Sequence, residues 1–447
     1  MNPAMTMNTY RSGFETAPEF TPAHGLADLR RAAWDRFKAL DFPTRRKEAW
    51  RYVNIERLLN TPYVPVEADY DWECQPHTWL ENYYLPGSTH RAVYFNGRFC
   101  AKLSRNDQLP QGVLLKDLAS ALREHGNLIK GRLGLRVEEE QNTFAAINTF
   151  SFSDGVFFYV PRNVSIQLPV HLLFFGIGDD ERPPVFYPRI LIVLEEGARA
   201  EIVLENAGGK AGKFFSNAVA DIVLGANSKL QIVNIQRDAD AGAHQFLAVR
   251  GHVGPDASLE TITFTQDGGT ARNDFKIALD GVNSSCSLRG LALLSGDHQA
   301  FYHAYVDHSN IHGTSRQLFK SVLTGRSQSE FDSEVHVFGA ARQSDSQQLN
   351  RNLLLSRDAR AYSRPRLKID NDDVQCSHGS ATGQLEQKEL FYLQSRGLSL
   401  EVARFVLVYG FAEEVLEVIH AEPLRRKMEA IAREKLEKMI QSPHPST

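Results

Sequence analysis

Cysteine is scarce in this sequence, with only four residues among 447. They are Cys74, Cys100, Cys286 and Cys376, too few in so long a chain for a disulfide framework. No two of them form a Cys-x-x-Cys pair, so a structural zinc site built from thiolates is not expected. This cysteine usage is typical of a reducing compartment.

The chain also lacks an excess of either charge and a long apolar run. Its 50 basic and 54 acidic side chains leave a formal net charge of −4, which indicates neither a nucleic-acid partner nor an anionic membrane. The longest apolar stretches, such as 164–176, are interrupted by polar residues. The first twenty residues carry neither the apolar core of a secretion signal nor the arginines of a transit peptide. We therefore predict a soluble cytoplasmic protein.

A complete nucleotide-binding motif is missing as well. Segment 207–214 is similar to a phosphate loop, but Ala207 stands where the first glycine is required. Phe214 stands where a serine or threonine must supply the hydroxyl ligand to magnesium. We interpret the segment as a turn, and we expect another subunit to bind any ATP that the system uses.

The residues that are present divide the chain into three regions. Apolar residues spaced by three and four predict a helix over 26–40. Between about 150 and 375, short apolar and β-branched runs alternate with Gly, Asn, Asp and Ser turns, which is typical of strands. The end of the chain is helical: Gly397 suits the position after one helix, Ser399 caps a second, and Pro423 suits the first turn of a third.

The middle region repeats. A turn glycine, then small or polar residues, then a strand recur at Gly197, Gly225, Gly254 and Gly281, 27 to 29 residues apart. A fixed period of strand and turn is typical of a solenoid, in which each coil buries its inner face on its neighbours. The pattern favours a β-helix over a β-sandwich, whose turns are usually closer and less regular.

Four histidines lie close together in this region: His298, His303, His308 and His312. Their spacing does not bring two rings onto one ion, as His-x-x-x-His does on a helix. On a strand, His303 shares a face with Tyr305 and Asp307, while His308 points to the other side. We interpret the four as solvated or hydrogen-bonded side chains rather than metal ligands.

An acidic run and a Cys-His pair follow near the end of the middle region. The run 370–373 suits a calcium site or the paired carboxylates of polysaccharide-cleaving β-helix enzymes, although a turn is the commoner role. Cys376 and His378 stand two residues apart, so a strand places both on one side, with Cα atoms about 6.5–7 Å apart. Thiolate and imidazole are both good ligands for iron. The residues alone support two interpretations equally. In one, the pair binds a shared iron–sulfur species; in the other, the cysteine is merely structural and stands beside a hydrogen-bonded histidine.

The sequence around this pair resembles the SufB/SufD family of iron–sulfur cluster assembly scaffolds. Segments 372–379, with Ala381 and Thr382, and 389–397 are similar to the C-terminal signature of SufD proteins. Gly379 favours the SufD branch, because SufB proteins usually carry an acidic residue after the histidine. Weaker similarities to the family core and N-terminal stretch occur at 43–52, 160–166, 188–192, 315–318 and 352–355.

The resemblance implies a mainly β fold, with a right-handed parallel β-helix between N-terminal and C-terminal α-helical domains. The expected boundaries are a disordered tail 1–21, an N-terminal helical domain 22–150, a β-helix core 151–378, a C-terminal helical domain 379–441 and a tail 442–447.

It also implies a non-enzymatic scaffold subunit of a SufBCD-type complex. A SufB-like paralogue is expected to bind the β-helix. A SufC-like ATPase is expected to bind the C-terminal helices and to carry the ATP and Mg²⁺. A transient iron–sulfur cluster would form at the interface with the SufB-like chain, with His378 as a ligand and Cys376 beside it. The expected ATPase contacts are Tyr392, Arg396, Tyr409 and Phe411. No sequence feature supports a flavin, and a homodimer of the isolated chain is left open. The alternative is a carbohydrate-active β-helix enzyme, motivated by the run 370–373.

Overall fold

The computed structural model describes residues 9–16, 18, 25–66, 74, 78–85, 87, 90–106, 108–209 and 212–441. The predicted tail 442–447 and much of the predicted tail 1–21 lie outside the described residues. The α-helices are α1 (Ala27–Leu40), α2 (Ile55–Asn60), α3 (Leu118–Glu124), α4 (Gly126–Ile129), α5 (Thr143–Ser151), α6 (Gln387–Ser395), α7 (Leu400–Leu416) and α8 (Glu422–Gln441).

Strands dominate the middle of the chain. The first strands are β1 (Val64–Pro65), β2 (Arg91–Phe95), β3 (Arg98–Phe99), β4 (Leu114–Asp117), β5 (Gly155–Val160), β6 (Val170–Gly176), β7 (Pro184–Phe186) and β8 (Arg189–Leu194). The next are β9 (Arg199–Gly208), β10 (Phe215–Leu224), β11 (Lys229–Arg237), β12 (His244–Val253), β13 (Ser258–Gln266), β14 (Thr270–Leu279) and β15 (Ser285–Leu294). The last are β16 (Gln299–His308), β17 (Thr314–Leu323), β18 (Gln328–Val337), β19 (Ser344–Leu354), β20 (Arg360–Ile369) and β21 (Val374–Gly383).

These strands form two sheets that face each other. Sheet 1 has the order β20-β18-β16-β14-β12-β10-β8-β5-β4, and sheet 2 has the order β21-β19-β17-β15-β13-β11-β9-β6-β2-β3. From β8 to β21, successive strands alternate between the sheets, and each pairs in parallel with the strand two positions along the chain, as β10 does with β12. The result is a β-solenoid of about seven turns, which confirms the predicted β-helix and rules out the sandwich.

The repeated glycines stand at equivalent turns of this solenoid. Gly197, Gly225, Gly254 and Gly281 each precede a strand of sheet 2. Backbone hydrogen bonds join stacked turns, as between the Gly254 N–H and the Leu224 carbonyl (3.0 Å). The repeat seen in the sequence is therefore one coil of the solenoid.

The interior of the solenoid changes in character along its axis. Early coils are lined by apolar side chains such as Ile202 and Leu204. In β19, by contrast, alternate buried residues are polar: Ser344, Ser346, Gln348, Asn350 and Asn352. The sheet 2 wall of the last coil is thus polar, whereas β6, in the same wall of the first coil, presents Val170, Leu172 and Phe174 to the interior.

The helical regions cover the outer faces of the two sheets. Phe215, Phe246 and Phe301 of sheet 1 pack in one cluster with Trp50 and Phe144 of the N-terminal region. On the other side, α7 and α8 bury apolar residues of sheet 2, among them Val233, Phe264 and Leu291. Each sheet therefore separates the solenoid interior from a second, helix-covered core.

Local features of the helices agree with the sequence. Gly397 has a φ of 92° directly after α6, and its N–H donates to the Gln394 carbonyl (2.9 Å). The Ser399 side chain caps α7 by accepting a hydrogen bond from the Val402 N–H (3.3 Å). Pro423 is the second residue of α8. In the described part of the chain, no helix combines the length and apolar character that a membrane span requires.

Part of the segment expected to be an N-terminal tail is ordered. Tyr10–Phe14 forms a 3-10 turn in which Tyr10 is buried. Its ring lies 5.9 Å from that of Tyr63 and 5.6 Å from that of Phe215. The aromatic face of sheet 1 thus binds a short piece of chain whose polar composition does not predict it.

Candidate functional site

The solenoid ends without a covering coil. β20 pairs with β18, and β21 pairs with β19. Among the residues that the structure describes, neither β20 nor β21 has a partner strand along its second edge. A free strand edge presents unpaired N–H and C=O groups that can bind another strand. At the other end, β4 pairs with β5 and β2 with β6, so the two ends differ.

Cys376 and His378 lie in the last strand, at this open end. Cys376 packs against the interior apolar cluster and pairs in register with Ser346. His378 pairs with Gln348 and is exposed, because no further coil covers it. Two residues apart on a strand, the side chains share one face. The structure therefore places the pair together, with the thiol half-buried and the imidazole open to solvent.

The surroundings of Cys376 favour the neutral thiol. Burial raises the pKa of Cys376, the nearby Asp345 carboxylate raises it further, and a hydrogen bond from the Ser346 backbone partly offsets both. The free thiol is consequently protonated at neutral pH. Binding to a metal would displace this proton, since the thiolate is the ligand form.

The solenoid interior next to the pair is polar, which no sequence pattern predicted. The Ser315 hydroxyl donates to the Ser346 hydroxyl (2.9 Å), and His308 Nε2 lies 2.8 Å from Ser315 Oγ. Gln348 donates to Ser333 Oγ (2.7 Å). All residues of 344–352 except Leu349 are polar, so the sequence does not distinguish the inward side chains from the outward ones. At the open end, the solenoid interior next to the pair therefore contains hydrogen-bonding side chains.

The four clustered histidines do not converge on one another, as predicted. His298 Nδ1 accepts a hydrogen bond from the Gly269 N–H (2.9 Å), and His308 bonds Ser315 inside the solenoid. His303 is different, because it is fully buried and neither ring nitrogen has a hydrogen-bond partner. The expectation of a solvated or hydrogen-bonded ring is therefore wrong for His303, whose strand face is covered by the N-terminal region.

The acidic run occupies the turn between β20 and β21. Asp370 Oδ2 lies 2.8 Å from His336 Nε2, and Asn371 Oδ1 accepts from the Asp373 N–H (2.9 Å). The failed phosphate loop is the turn between β9 and β10, where Phe214 is buried and its ring stacks on that of Phe186. Lys210 and Ala211 of that segment lie outside the described residues.

The four residues predicted to contact an ATPase fall into two pairs. Tyr392 is 57% exposed on α6, and the Arg396 guanidinium lies 5.3 Å from its ring. The Tyr409 ring faces Arg433 of α8 at 4.7 Å, and the Phe411 ring lies 4.6 Å from Lys320 Nζ. Tyr409 and Phe411 thus take part in packing within the chain. Exposed large hydrophobic side chains occur on α6, on α7 and in the connection between them, and we call this set the α6–α7 patch: Phe391, Tyr392, Leu398, Leu400, Val402 and Val406.

The cysteines are not equivalent. Cys74 and Cys100 form a disulfide, with Cα atoms 5.8 Å apart. Sequence spacing alone did not indicate this pairing, which depends on the approach of two distant segments. Cys286 is buried among apolar side chains, and burial raises the pKa of its thiol to about 12. Of the two free thiols, only that of Cys376 is partly open to solvent.

Comparison with known proteins covers nearly the whole chain. A family model described as "SUF system FeS cluster assembly, SufBD core domain" matches residues 175–411, and one described as "SufBD protein N-terminal region" matches residues 8–172. An iron–sulfur cluster assembly SufBD family protein of Synechocystis sp. is 29% identical over 414 residues, covering 90% of this chain and 89% of that protein. The iron–sulfur cluster assembly protein SufD of Escherichia coli is 25% identical (86% of this chain, 87% of that protein), and its Bacillus subtilis namesake is 24% identical (92% and 94%).

Proposed function

Since this chain belongs to the SufBD family of iron–sulfur cluster assembly proteins, we propose that it is the SufD-type scaffold subunit of a SufBCD-type complex. In this role it turns over no substrate by itself. It holds one side of a nascent iron–sulfur cluster, while a SufB-like paralogue supplies the other side. A SufC-like subunit binds ATP and Mg²⁺ and performs the hydrolysis.

The position of Cys376 and His378 carries this proposal. A half-buried thiol and an exposed imidazole on one strand face offer two iron ligands and leave the remaining coordination positions to another chain. Four ligands are usual for a cluster, so this pair alone is half of a site. The cluster is the cargo of the complex rather than a resident cofactor, and no sequence feature supports a flavin.

The open end of the solenoid supports the proposed SufB-like partner. β21 has ten residues and no proline, so its free edge can accept a strand along its whole length. β20 carries Pro365, a residue that sheets tolerate at their edges. A strand added to β21 would bring its own ligands next to His378. A second copy of this chain could pair in the same way when the paralogue is absent.

The α6–α7 patch supports the proposed ATPase contact. Its six apolar side chains are exposed on α6, on α7 and in the connection between them, and such a patch is typical of a protein-binding surface. Tyr392 and Arg396 lie at this surface and stay as proposed contacts. Tyr409 and Phe411, which pack within the chain, would contribute by holding α7 in place.

The cytoplasm is the compartment that suits this chemistry, because a thiol ligand and a nascent cluster require reducing conditions. In such an environment we expect the Cys74–Cys100 bond to be reduced in most copies. The alternative, a carbohydrate-active enzyme, is not favoured: residues 370–373 are engaged in a turn, and the family is one of cluster assembly.

The test is anaerobic co-expression of the full chain with SufB-like and SufC-like subunits from the same operon. We expect a ternary complex whose His378→Ala variant keeps its subunits but loses cluster maturation of a reporter protein. Ser377→Ala is the matched control, because Ser377 lies on the same strand and points to the opposite face. Normal maturation with His378→Ala, or failure of the unsubstituted chain to bind an ATPase subunit, would contradict the proposal.

A further inference from the structure

A second group of metal-ligand side chains lies on the outer face of sheet 1, in the strands β16 and β18 next to the terminal strand β20. His303 of β16 pairs in register with Asp332 of β18, and Glu330 lies two residues earlier on β18. One ligand atom from each of these residues can be chosen so that all three lie within 4.8 Å of one another. The exposed fractions of the three side chains are 0%, 1% and 0%. The N-terminal segment around Glu48 covers this group.

Several atoms of the group lack hydrogen bonds despite complete burial. They are both ring nitrogens of His303 and Glu330 Oε2. A buried polar atom without a partner is unfavourable, and few occur in native proteins. Three such atoms in one place are a set that a bound ion would satisfy.

The distance between His303 Nε2 and Glu330 Oε2, 3.4 Å, suits a shared ion better than a direct hydrogen bond. Asp332 Oδ2 lies 3.6 Å from the other ring nitrogen, Nδ1, so Asp332 belongs to the group through the 4.8 Å grouping of all three residues and not through this distance. Good N–H···O bonds are shorter, at roughly 2.7–3.2 Å. Two ligands of one tetrahedral ion with bonds of about 2.1 Å stand about 3.4 Å apart.

From this geometry we infer that His303, Glu330 and Asp332 form a buried binding site for a divalent transition-metal ion. One imidazole and two carboxylates are borderline-to-hard donors, which suit Zn²⁺ or Fe²⁺ rather than a soft ion such as Cu⁺. The site is independent of the cluster ligands proposed above.

The charges around the site allow the ion to enter. Arg364 Nη2 contacts Glu330 Oε1 (2.7 Å) and Asp332 Oδ2 (2.9 Å), so this guanidinium now neutralises the carboxylates. Arg364 is only 18% exposed, but its Nη1 already lies 2.8 Å from the exposed Glu48 Oε1. Arg366, which contacts Asp332 Oδ1 (3.1 Å), likewise has a second partner in Glu334 (3.1 Å).

An exchange of partners therefore leaves every charge balanced. When the metal binds Glu330 and Asp332, Arg364 retains Glu48 and Arg366 retains Glu334. A divalent ion and two carboxylates are neutral together, as are both remaining ion pairs. The metal thus replaces guanidinium groups that have other carboxylates within reach.

The test uses the full chain with Cys376→Ser and His378→Ala, so that the proposed cluster site cannot bind the probe. After removal of metals by a chelator, the protein is titrated with Co²⁺. We expect one equivalent to bind with the visible bands of four-coordinate cobalt and without thiolate charge transfer, and Zn²⁺ to displace it. Absence of stoichiometric binding would overturn the inference, whatever the fate of the cluster proposal.

Variants in the same background assign the ligands. Glu330→Gln and His303→Gln should each weaken Co²⁺ binding by more than about 100-fold, beyond the 10–100-fold typical of groups behind the ligands. His336→Gln, on the same strand but outside the group and its ion pairs, should bind as the parent does. Arg364→Gln, which removes the competing cation, should tighten binding. Equal affinity of Glu330→Gln and its parent would contradict the assignment.

If the ligand variants fail to fold, a measurement that leaves His303, Glu330 and Asp332 unchanged still tests the site. Crystals of the Cys376→Ser/His378→Ala chain are soaked in Zn²⁺, and anomalous scattering is recorded at the zinc edge. A peak between His303, Glu330 and Asp332 is expected. An anomalous map without a peak there would overturn the site.

Discussion

Buried charged residues form ion pairs that hold other segments of the chain against the solenoid. Glu205 is enclosed on the outer face of sheet 2, where His171 Nε2 lies 3.1 Å and Arg237 Nε 2.8 Å from its carboxylate oxygens. Arg237 also donates to the Asn82 carbonyl (3.2 Å), which ties the N-terminal region to the solenoid. A charge at this depth is tolerated only because these partners satisfy it.

This arrangement predicts a stability that depends on pH. Burial alone would raise the pKa of Glu205, but the hydrogen bond from His171 and the charge of Arg237 outweigh it and lower the pKa to about 2. A carboxyl with a lowered pKa stabilises the fold above its unfolded pKa of 4.5. That contribution, on the order of 3 kcal/mol, is lost as the pH falls from about 4.5 toward 2.

Urea unfolding at pH 5 and pH 3 measures this effect. The unsubstituted chain should lose more stability between the two pH values than Glu205→Gln does. Glu437→Gln is the control, because Glu437 is an exposed residue of α8, and the pH dependence of this variant should match that of the unsubstituted chain. An equal loss of stability between pH 5 and pH 3 for Glu205→Gln and the unsubstituted chain would contradict the prediction.

Single residues also mark what a sequence can and cannot predict about a site. Cys376 and His378 share one strand, so the two-residue period of a strand was sufficient to place them on one face. His303 and Glu330 belong to neighbouring coils, and their approach depends on the register between β16 and β18. Register is set by the stacking of whole coils, which no local pattern reveals.

Among the elements, the stacked turns between the sheets are tightly packed. A Cβ atom added at Gly281 would lie 2.1 Å from the backbone nitrogen of Pro255 in the turn below. Gly410 in the middle of α7 differs, since an added Cβ would meet nothing within 4 Å. Gly281 is therefore required for steric reasons, whereas Gly410 is not.

Alanine substitutions should separate these two roles. Gly281→Ala should destabilise the protein by roughly 1–3 kcal/mol or more, because two backbones must move apart. Gly410→Ala should stabilise it by about 0.5–1 kcal/mol through the higher helix propensity of alanine. Thermal unfolding followed by circular dichroism checks both, and a Gly281→Ala protein as stable as the unsubstituted chain would contradict the steric argument.

Elements with a strong internal period were the ones that the sequence predicted well. The 27-to-29-residue repeat, α1 and the ends of α6 and α7 all follow from local patterns. The ordered turn Tyr10–Phe14 and the Cys74–Cys100 bond did not, because both depend on a surface that only the folded solenoid provides. The polar interior of β19 was not predicted because its inward and outward residues are almost all polar, as in an exposed segment.

At the scale of the whole molecule, the faces and ends of the solenoid are not equally covered by other parts of the chain. Helical regions cover the outer faces of both sheets, and short N-terminal strands close one end. The end formed by β20 and β21 has no such cover within the described residues. If this end binds another chain, its backbone amides should report the binding directly.

Hydrogen–deuterium exchange tests this expectation. In the dilute isolated chain, amides of Val374–Gly383 should exchange faster than those of the central strand β13. Addition of a SufB-like partner should slow exchange in Val374–Gly383 while leaving β13 unchanged. Protection confined to other parts of the chain would place the partner elsewhere.

The polar interior of the last coils has a consequence for how the molecule opens. In a solenoid each coil contacts only its neighbours, so stability is approximately a sum of local terms along the axis. An inner wall of apolar side chains contributes a large term, whereas the inner wall of Ser, Gln and Asn in β19 contributes less. Local unfolding should therefore begin at β21 and reach the more apolar early coils last. Cys376 and His378 thus belong to the foldon of lowest stability, where a binding partner can remodel the backbone while the rest of the molecule stays native.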